Sequence, residues 1–329
     1  MKAGWYEQNG PAKDVLKIGE RPDPEPGPDE VRVRVACSGV NPSDVKRRAG
    51  WNNQKIAFPW VVPDNDGAGV IDRVGAGVDA RRVGERVWLH STGWKRPLGT
   101  AAQYTVTPHH RAFPLPAGAS FEVGAGLGVP AMTAHRAVFG PGPVRGRTVL
   151  VTGGAGAVGF YAIQLAKWGG ARVVTTVSGA QKAAEAKRAG ADHVVNYRTE
   201  NAAERVLALT GGAGVDHIVE VDFGANLATT LAVLKPNGSI ATYASMAKTE
   251  PAIPFYALMF KNVRLLWVFV YEMPQGAMTD AGRDVNAWLA SRTAVHPRQH
   301  LFPLDRLADA HIAVEEGAVG KVIVQLPPV

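Results

Sequence analysis

Hydrophobic and polar positions follow two different rhythms along this chain. Over the first 120 residues the apolar positions come in short alternating runs. Val31-Arg-Val-Arg-Val35 has the period of a half-buried strand, and Ala68-Gly-Val-Ile-Asp-Arg-Val-Gly75 and Glu85-Arg-Val-Trp-Leu89 come after it. Arg21-Pro-Asp-Pro-Glu-Pro-Gly-Pro28 is a stiff, extended lead-in, and Gly and Pro punctuate the rest without any long helical period. A mainly antiparallel β domain is predicted there, with Phe113-Pro-Leu-Pro-Ala-Gly118 as the crossing point into a second domain.

From Val149 the rhythm alternates between the two periods. Arg172–Val177, His193–Tyr197, Val215–Val221 and Ser239–Tyr243 are apolar, β-branched runs that read as strands. Between them Ala157–Lys167, Gln181–Ala189, Asn201–Thr210 and Asn226–Leu234 carry apolar residues at helical spacing, and Gly170, Gly190, Gly211 and Gly238 supply stops. Strands alternating with helices imply right-handed crossovers and a parallel, doubly wound α/β sheet.

The run Val149-Leu-Val-Thr-Gly-Gly-Ala-Gly-Ala-Val-Gly-Phe160 opens this second part. An apolar strand enters three glycines, Gly154, Gly156 and Gly159, and leaves them as a helix, which is the context a dinucleotide-binding G-x-G-x-x-G requires. The first glycine is expected to permit the tight turn, the second to let backbone approach a pyrophosphate, and the third to pack the helix on the strand. The helix's first amides then face the phosphates. The bland alternative is a turn that is glycine-rich for packing alone.

Which dinucleotide binds depends on the end of the second strand. An NAD site needs a carboxylate there, whereas a 2′-phosphate needs that charge gone and a cation nearby. Thr176-Val-Ser-Gly-Ala-Gln-Lys182 has no acidic residue, a donor in Ser178 and a charge in Lys182. NADP(H) is the expected cofactor; otherwise Ser178 is a helix cap and Lys182 a solvated surface residue.

Composition narrows the class. At 329 residues, 46% hydrophobic and 20% charged, the chain reads as two globular domains. The N-terminus lacks the apolar core of a signal peptide, and the apolar stretch Phe255–Val270 is broken by Lys261, Asn262 and Arg264, so a cytoplasmic protein without a membrane span is expected. The single cysteine, Cys37, excludes an internal disulfide and a multi-cysteine zinc site, and reads as an ordinary strand residue. The net charge of +7 is scattered in short clusters such as Lys46-Arg-Arg48 and Arg81-Arg82. Nucleic acid is therefore not expected as the main partner, and an anionic cofactor suffices for part of the excess.

Cys37-Ser-Gly-Val-Asn-Pro-Ser-Asp44 with Arg48-Ala-Gly50, Pro63-Asp-Asn-Asp-Gly-Ala-Gly-Val-Ile71, Val74-Gly-Ala-Gly-Val78, Val83-Gly-Glu-Arg-Val87, Pro130-Ala-Met-Thr-Ala134 and Gly320-Lys-Val-Ile-Val324 occur in this order along nearly the whole chain. Together they resemble the zinc-independent quinone oxidoreductases of the medium-chain dehydrogenase/reductase superfamily. The resemblance implies a GroES-like substrate domain interrupted by the Rossmann domain: residues 1–122, then 123–266 for NADP(H), then a return over 267–329, with the cofactor in the cleft. It also implies a homodimer meeting at an edge strand of the nucleotide domain. Val263–Val270 is the candidate edge, the alternative being a strand buried against the chain's own helices.

Zinc-dependent relatives in that superfamily carry Cys where this chain has Asn41, and Gly-His-Glu where it has Asp64-Asn65-Asp66. No thiolate or imidazole is available there, the four-cysteine lobe is missing, and no metal is expected. What remains is hydride transfer from NADPH to an acceptor that is already electrophilic, a quinone or an enone.

By resemblance, Asn41 lies beside the nicotinamide and Thr133 near its carboxamide, Ala155, Gly156, Ala157 and Val158 lie on the pyrophosphate, and Ser178, Lys182 and Tyr197 lie at the adenosine and 2′-phosphate end. Tyr243, Ala244, Ser245, Phe269 and Val270 match contacts to the nicotinamide half. Asn41, Asp44 and Lys46 are the candidate catalytic group. Family members commonly carry tyrosines where this chain has Lys46 and Asn52, so Lys46 either replaces a tyrosine as a cationic donor or points to solvent. Trp51, Trp60 and Trp94 are candidates for an aromatic wall or for core filler. The expected function is NADPH-dependent reduction of quinones. The alternatives are an enone, alkenal or enoyl-thioester reductase, and a non-enzymatic NADPH-binding protein with a structural or RNA-associated role.

Overall fold

The computed structural model describes residues 1–291 and 293–328. By its contacts the chain forms two units, Met1–Val129 with Arg298–Val329, and Pro130–Pro297.

The second unit contains the doubly wound sheet. Its six strands are all parallel, in the order His193–Asn196, Arg172–Val177, Thr148–Val151, Val215–Glu220, Leu234–Thr242 and Arg264–Trp267. The order reverses beside Thr148–Val151, the first strand of the unit, and that reversal is where an open α/β sheet leaves a crevice at the carboxyl ends of its strands. The central strands carry buried apolar residues such as Leu150, Ile218 and Ile240, as expected where helices cover both faces. Leu150, Val174, Val195, Ile218 and Ile240 form one buried cluster with Val206, Phe223 and Leu227 from the helices. Each such side chain contributes about 1.5–3 kcal/mol by leaving water.

The first unit is built on a seven-stranded, mainly antiparallel sheet. Gln299–Pro303, Lys321–Gln325, Glu30–Val40, Asp66–Val74, Arg86–Leu89 and Ala112–Pro114 are neighbours in that order, and Tyr104–Pro108 also pairs with Glu30–Val40. The closing strand Lys321–Gln325 is hydrogen-bonded directly beside Glu30–Val40, with Val322 opposite Val40 and Val324 opposite Ser38. Val31, Val33, Val35, Ile71, Val87 and Val324 form the core of this sheet.

The contacts draw the boundaries later than the expected divisions after residues 122 and 266. Helix Phe121–Ala125 belongs to the first unit, where Gly124 sits against Ala68 and Leu115. Helix Gln275–Ala290 belongs to the second, because its apolar face packs there: Trp288 is buried and meets Tyr161 edge-on at 5.7 Å. His135 adds a 3.0 Å contact to Asp284 on the same helix.

Candidate functional site

In the second unit the strand Thr148–Val151 turns through residues 152–156 into helix Ala157–Trp168. The three glycines divide the work differently from the sequence expectation. The left-handed turn residue is Gly153, at φ +68°, and not Gly154. Gly154 is bare because the neighbouring strand comes too close: a Cβ there would stand 2.1 Å from Thr175 Oγ1. Gly159 lets the helix approach the turn, since its Cβ would meet the Gly153 carbonyl oxygen at 2.4 Å. Around Gly156 the chain leaves room; a Cβ would find only the Gly153 oxygen, at 3.5 Å. Nothing in the protein's own packing requires Gly156, and the space it leaves lies at the helix N-terminus. There Phe160 is the first amide to bond back, to the Gly156 carbonyl, so the amides of Ala157, Val158 and Gly159 have no intrahelical partner. Room beside unpaired amides at the positive end of a helix fits a phosphate.

A buried carboxylate holds this turn in place. Glu220 ends the adjacent strand and accepts hydrogen bonds from Thr152 Oγ1 at 3.0 Å, the Asp222 amide and Asn226 Nδ2 at 2.7 Å each, and Thr230 Oγ1 at 3.2 Å. These donors satisfy it without a cation. The sequence reading missed Glu220; its signal is an acid directly after Ile218 and Val219 at the carboxyl end of the strand Val215–Glu220. Beside it lies a cavity of about 310 Å³, lined by Thr152, Thr176, Tyr197, Asn201, Asn226 and Thr230 among others. The cavity runs from Thr152, just before the glycines, to Tyr197, one of the expected adenosine-end residues. Ser178 is half-buried, and Lys182 is exposed in the first turn of helix Ala180–Arg188. No acidic residue occupies the turn from Val177 to Lys182.

The other candidates of this unit lie on its helices and strand ends. Thr133 is buried on helix Gly128–Phe139. Tyr243, Ala244 and Ser245 come directly after the strand Leu234–Thr242, and burial pushes the Tyr243 phenol up. Ser245 is committed within its own loop: its hydroxyl accepts from the Gly224 amide at 2.9 Å and donates to the Lys248 carbonyl at 2.5 Å. Val270 is buried, whereas Phe269 is exposed and stands 5.5 Å from the Tyr271 ring. The expected edge over Val263–Val270 is a strand at Arg264–Trp267, which pairs on one side with Leu234–Thr242 and has no further neighbour among the described residues.

In the first unit, Asn41 caps helix Pro42–Ala49 in a capping box with Asp44. Asp44 is buried, and both of its oxygens are engaged, one by the Asn41 amide at 2.9 Å and the other by Asn65 Nδ2 at 2.6 Å. Asp44, one of the candidate catalytic group, stands in the structure as the acceptor at the start of the helix. Its carboxyl is pushed up to about 7, first by burial and then by the charges of Asp64 and Asp66. The Asn41 carboxamide lies in a buried ring of polar groups. Lys321 Nζ donates to Asn41 Oδ1 at 2.5 Å, and Asn41 Nδ2 donates to Asp66 Oδ2 at 2.7 Å. Lys321 and Asp66 also form an ion pair at 3.4 Å, and Asp66 Oδ1 accepts from the Val129 amide at 2.7 Å. Lys321 was visible in the sequence only as part of a closing strand; a lone lysine inside the apolar run Lys321-Val-Ile-Val324 was its signal.

Lys46 is half-buried, with its ammonium 5.3 Å over the Trp51 ring, and burial lowers its pKa. It is neither fully solvated nor sequestered. The three tryptophans stack with different cations: Trp51 with Lys46, Trp60 with Arg21 and Trp94 with Lys95. Cys37 is buried, and its thiol is pushed up to about 12 by that burial, as befits a strand residue and not a nucleophile.

Among the described residues no group of three or more His, Cys, Asp and Glu is arranged to hold a metal ion. A catalytic zinc does not fit here: at the positions of the metal-binding residues in zinc-dependent relatives, the protein's own Lys321 ammonium bridges Asn41 and Asp66. A cation already there repels another. Among the described residues no helix is long and apolar enough to cross a membrane.

The sequence matches the alcohol dehydrogenase GroES-like domain over residues 27–117 and the zinc-binding dehydrogenase domain over residues 157–286. It is 31% identical to the quinone oxidoreductase of Homo sapiens, an alignment covering 98% of this chain and 96% of that protein. The fold superposes on Escherichia coli quinone oxidoreductase complexed with NADPH with a TM-score of 0.86, at 25% identity over 99% of this chain and 100% of the other. It superposes on an NAD-dependent alcohol dehydrogenase with a TM-score of 0.89, at 29% identity over 99% and 100% of the two chains. A 2-haloacrylate reductase matches with a TM-score of 0.85 at 26% identity, over the whole of both chains.

Proposed function

This chain belongs to the quinone oxidoreductase family of the medium-chain dehydrogenase/reductases, and on that premise we propose that it is an NADPH-dependent reductase of quinones or similarly electron-poor acceptors, working without a metal ion. The observation that carries the reading is the space at Gly156, left open beside unpaired helix amides, together with a second strand whose end bears no carboxylate. The NADPH-complexed relative supports the same coenzyme.

In this proposal Ala155, Gly156, Ala157 and Val158 hold the pyrophosphate, Gly156 by the room it leaves and Ala157 and Val158 by their amides. Ser178, Lys182 and Tyr197 hold the 2′-phosphorylated adenosine, with Lys182 supplying the charge that an NAD site would refuse. Asn41, Thr133, Tyr243, Ala244, Ser245, Phe269 and Val270 serve the nicotinamide half, and the committed Ser245 hydroxyl leaves that residue its backbone to offer. The bound coenzyme supplies a hydride. The protein's part is to hold the acceptor against it, keep out bulk water and hydrogen-bond the developing oxyanion. Lys46 is the proposed donor: its desolvated ammonium releases a proton more readily than a free lysine, which suits it to an acceptor oxygen that becomes a hydroquinone hydroxyl or an enol.

The second reading is an enone or enoyl-thioester reductase, favoured by the match to a 2-haloacrylate reductase. The same hydride step serves both, since each acceptor has an electron-poor carbon conjugated to oxygen. Turnover of NADPH with a panel of quinones, enones and enoyl thioesters separates the readings. No coenzyme oxidation with any member of the panel would overturn both.

We extend the proposal to a homodimer. Strand Arg264–Trp267 has an open edge, and helix Phe255–Phe260 just before it leaves Phe255, Tyr256 and Phe260 exposed to 65%, 66% and 77%. An open edge next to an apolar helix is a surface that a second copy covers.

A further inference from the structure

Asn41 cannot choose its own orientation. Its side chain lies between a group that only donates and a group that only accepts: the Lys321 ammonium on Oδ1 at 2.5 Å, and the Asp66 carboxylate on Nδ2 at 2.7 Å. A flipped carboxamide would set NH₂ against ammonium and oxygen against carboxylate. The second hydrogen of Nδ2 points to the Gly39 carbonyl, at 3.4 Å, and the main-chain amide is held by Asp44. All of these groups are buried, with Lys321 and Asn41 each 3% exposed and Asp66 fully covered.

The bracket comes from distant parts of the chain, and the fold delivers each arm separately. Gly320, at φ +120°, lets the chain pass so close to Arg298 that a Cβ would stand 2.1 Å from the Arg298 carbonyl oxygen. The next amide, that of Lys321, donates to the same oxygen at 2.8 Å. This anchors the closing strand in the register that places Lys321 one step beyond the Val322–Val40 pair, next to Asn41. Asp66 arrives on the opposite strand neighbour, paired with Gly39. Its other oxygen is taken by the Val129 amide, and Gly128 must be bare because a Cβ there would stand 2.1 Å from that oxygen.

We infer that Lys321 and Asp66 are positioning residues for hydride transfer: they clamp the Asn41 carboxamide in a single orientation, and the reaction depends on that orientation. The inference rests on the proposal that Asn41 serves the nicotinamide half of the coenzyme. Lys321 is conspicuous here because burying an ammonium is costly, and a hydrophobic residue would close the strand more simply.

The test uses the full-length protein and its best quinone or enone acceptor. Lys321→Met with Asp66→Asn removes both charges together, so that neither is left buried alone, and Lys321→Arg keeps the charge but misplaces it. Asn41→Ala serves as the reference. Without coenzyme, the Asn41 side-chain amide protons of the unmodified protein exchange at least about tenfold more slowly than those of the exposed Asn52 and Asn53, and the charge-free double variant loses that protection. With NADPH and its 4-deuterated form, the double variant and Lys321→Arg lose about tenfold or more in kcat and gain a larger primary isotope effect, while KM for NADPH stays within about twofold. Adding Asn41→Ala to the double variant then costs nothing more. A loss of kcat with an unchanged isotope effect and a matching loss of bound coenzyme would make the role merely structural and overturn the inference. Unchanged kcat in the double variant, or unprotected Asn41 amide protons in the unmodified protein, would overturn it too. If Asn41→Ala alone turns over normally, what fails is the placement of Asn41 at the nicotinamide.

Discussion

Gly154, in the turn after one strand, faces Thr175 on the neighbouring strand: the Thr175 hydroxyl occupies the place a side chain on Gly154 would need, 2.1 Å from its Cβ position, and donates to the Val151 carbonyl at 2.7 Å. Gly154 is thus held bare by the protein itself, while Gly156 two residues later is held bare by nothing the chain provides. Gly154→Ala is expected to cost stability, about 1–3 kcal/mol from overpacking. Gly156→Ala adds a methyl to a helix cap with extended backbone, φ −70° and ψ 157°, and should cost about 1 kcal/mol or less. Its effect falls on NADPH, whose Kd should rise about tenfold or more. Thermal melts and fluorescence titrations read the two effects separately. Unchanged NADPH affinity in Gly156→Ala would remove the phosphate from this turn.

Coenzyme choice is predicted to depend on Lys182. Lys182→Glu should weaken NADPH binding by about 1–3 kcal/mol, the range of a charge-assisted contact, and leave NADH nearly unaffected. Parallel calorimetric titrations decide it; equal losses with both coenzymes place the 2′-phosphate elsewhere.

Asp44 predicts a slope in stability against pH. Its carboxyl is pushed up to about 7 in the folded protein, by burial first and by Asp64 and Asp66 next, whereas an unfolded aspartate titrates near 3.8. The folded state therefore holds this proton more tightly than the unfolded state. Its contribution to stability is greatest below the ordinary carboxylate range and declines as pH rises to about 7, above which it is constant. Asp44→Asn should flatten the melting temperature across that window. The new amide keeps an acceptor for the Asn41 main chain, and Asn65, whose Oδ1 has no hydrogen-bond partner, can turn to receive its NH₂. An identical slope in the variant would assign the proton to another group.

Turnover should survive prolonged dialysis against a strong chelator, because the Lys321 ammonium already stands where a metal would need to bind Asn41 and Asp66. Loss of activity that returns with stoichiometric zinc would contradict this.

The open edge at Arg264–Trp267 and the exposed ring of Phe260 predict a dimer in solution. Sedimentation should give twice the chain mass, and Phe260→Glu with Trp267→Lys should halve it. A monomeric unmodified protein would refute the pairing.

Much of the second unit was legible in the residues. The strands at Arg172–Val177 and His193–Asn196 and the helix from Ala157 lie where the hydrophobic period placed them, because β-branched apolar runs alternating with helical spacing are what a parallel sheet covered by helices demands. The roles within the glycine turn were less legible. Which glycine bears a positive φ and which faces Thr175 depends on distances between strands, and the spacing of glycines alone does not encode those. The return into the first unit was expected too early, since helix Gln275–Ala290 belongs with the second unit through Trp288 and Tyr161, a pairing remote in sequence.

The sequence alone determined the kinds of layer, the dinucleotide turn and the absence of cysteine and histidine where zinc would need them, because periodicity, glycine spacing and residue chemistry are local properties. Only the tertiary structure decided that Glu220 anchors the turn, that Asp44 caps a helix and that Lys321 reaches Asn41. Burial and hydrogen-bond geometry depend on which segments the fold brings together, 280 residues apart in the case of Lys321 and Asn41, and until then a buried lysine reads like any other.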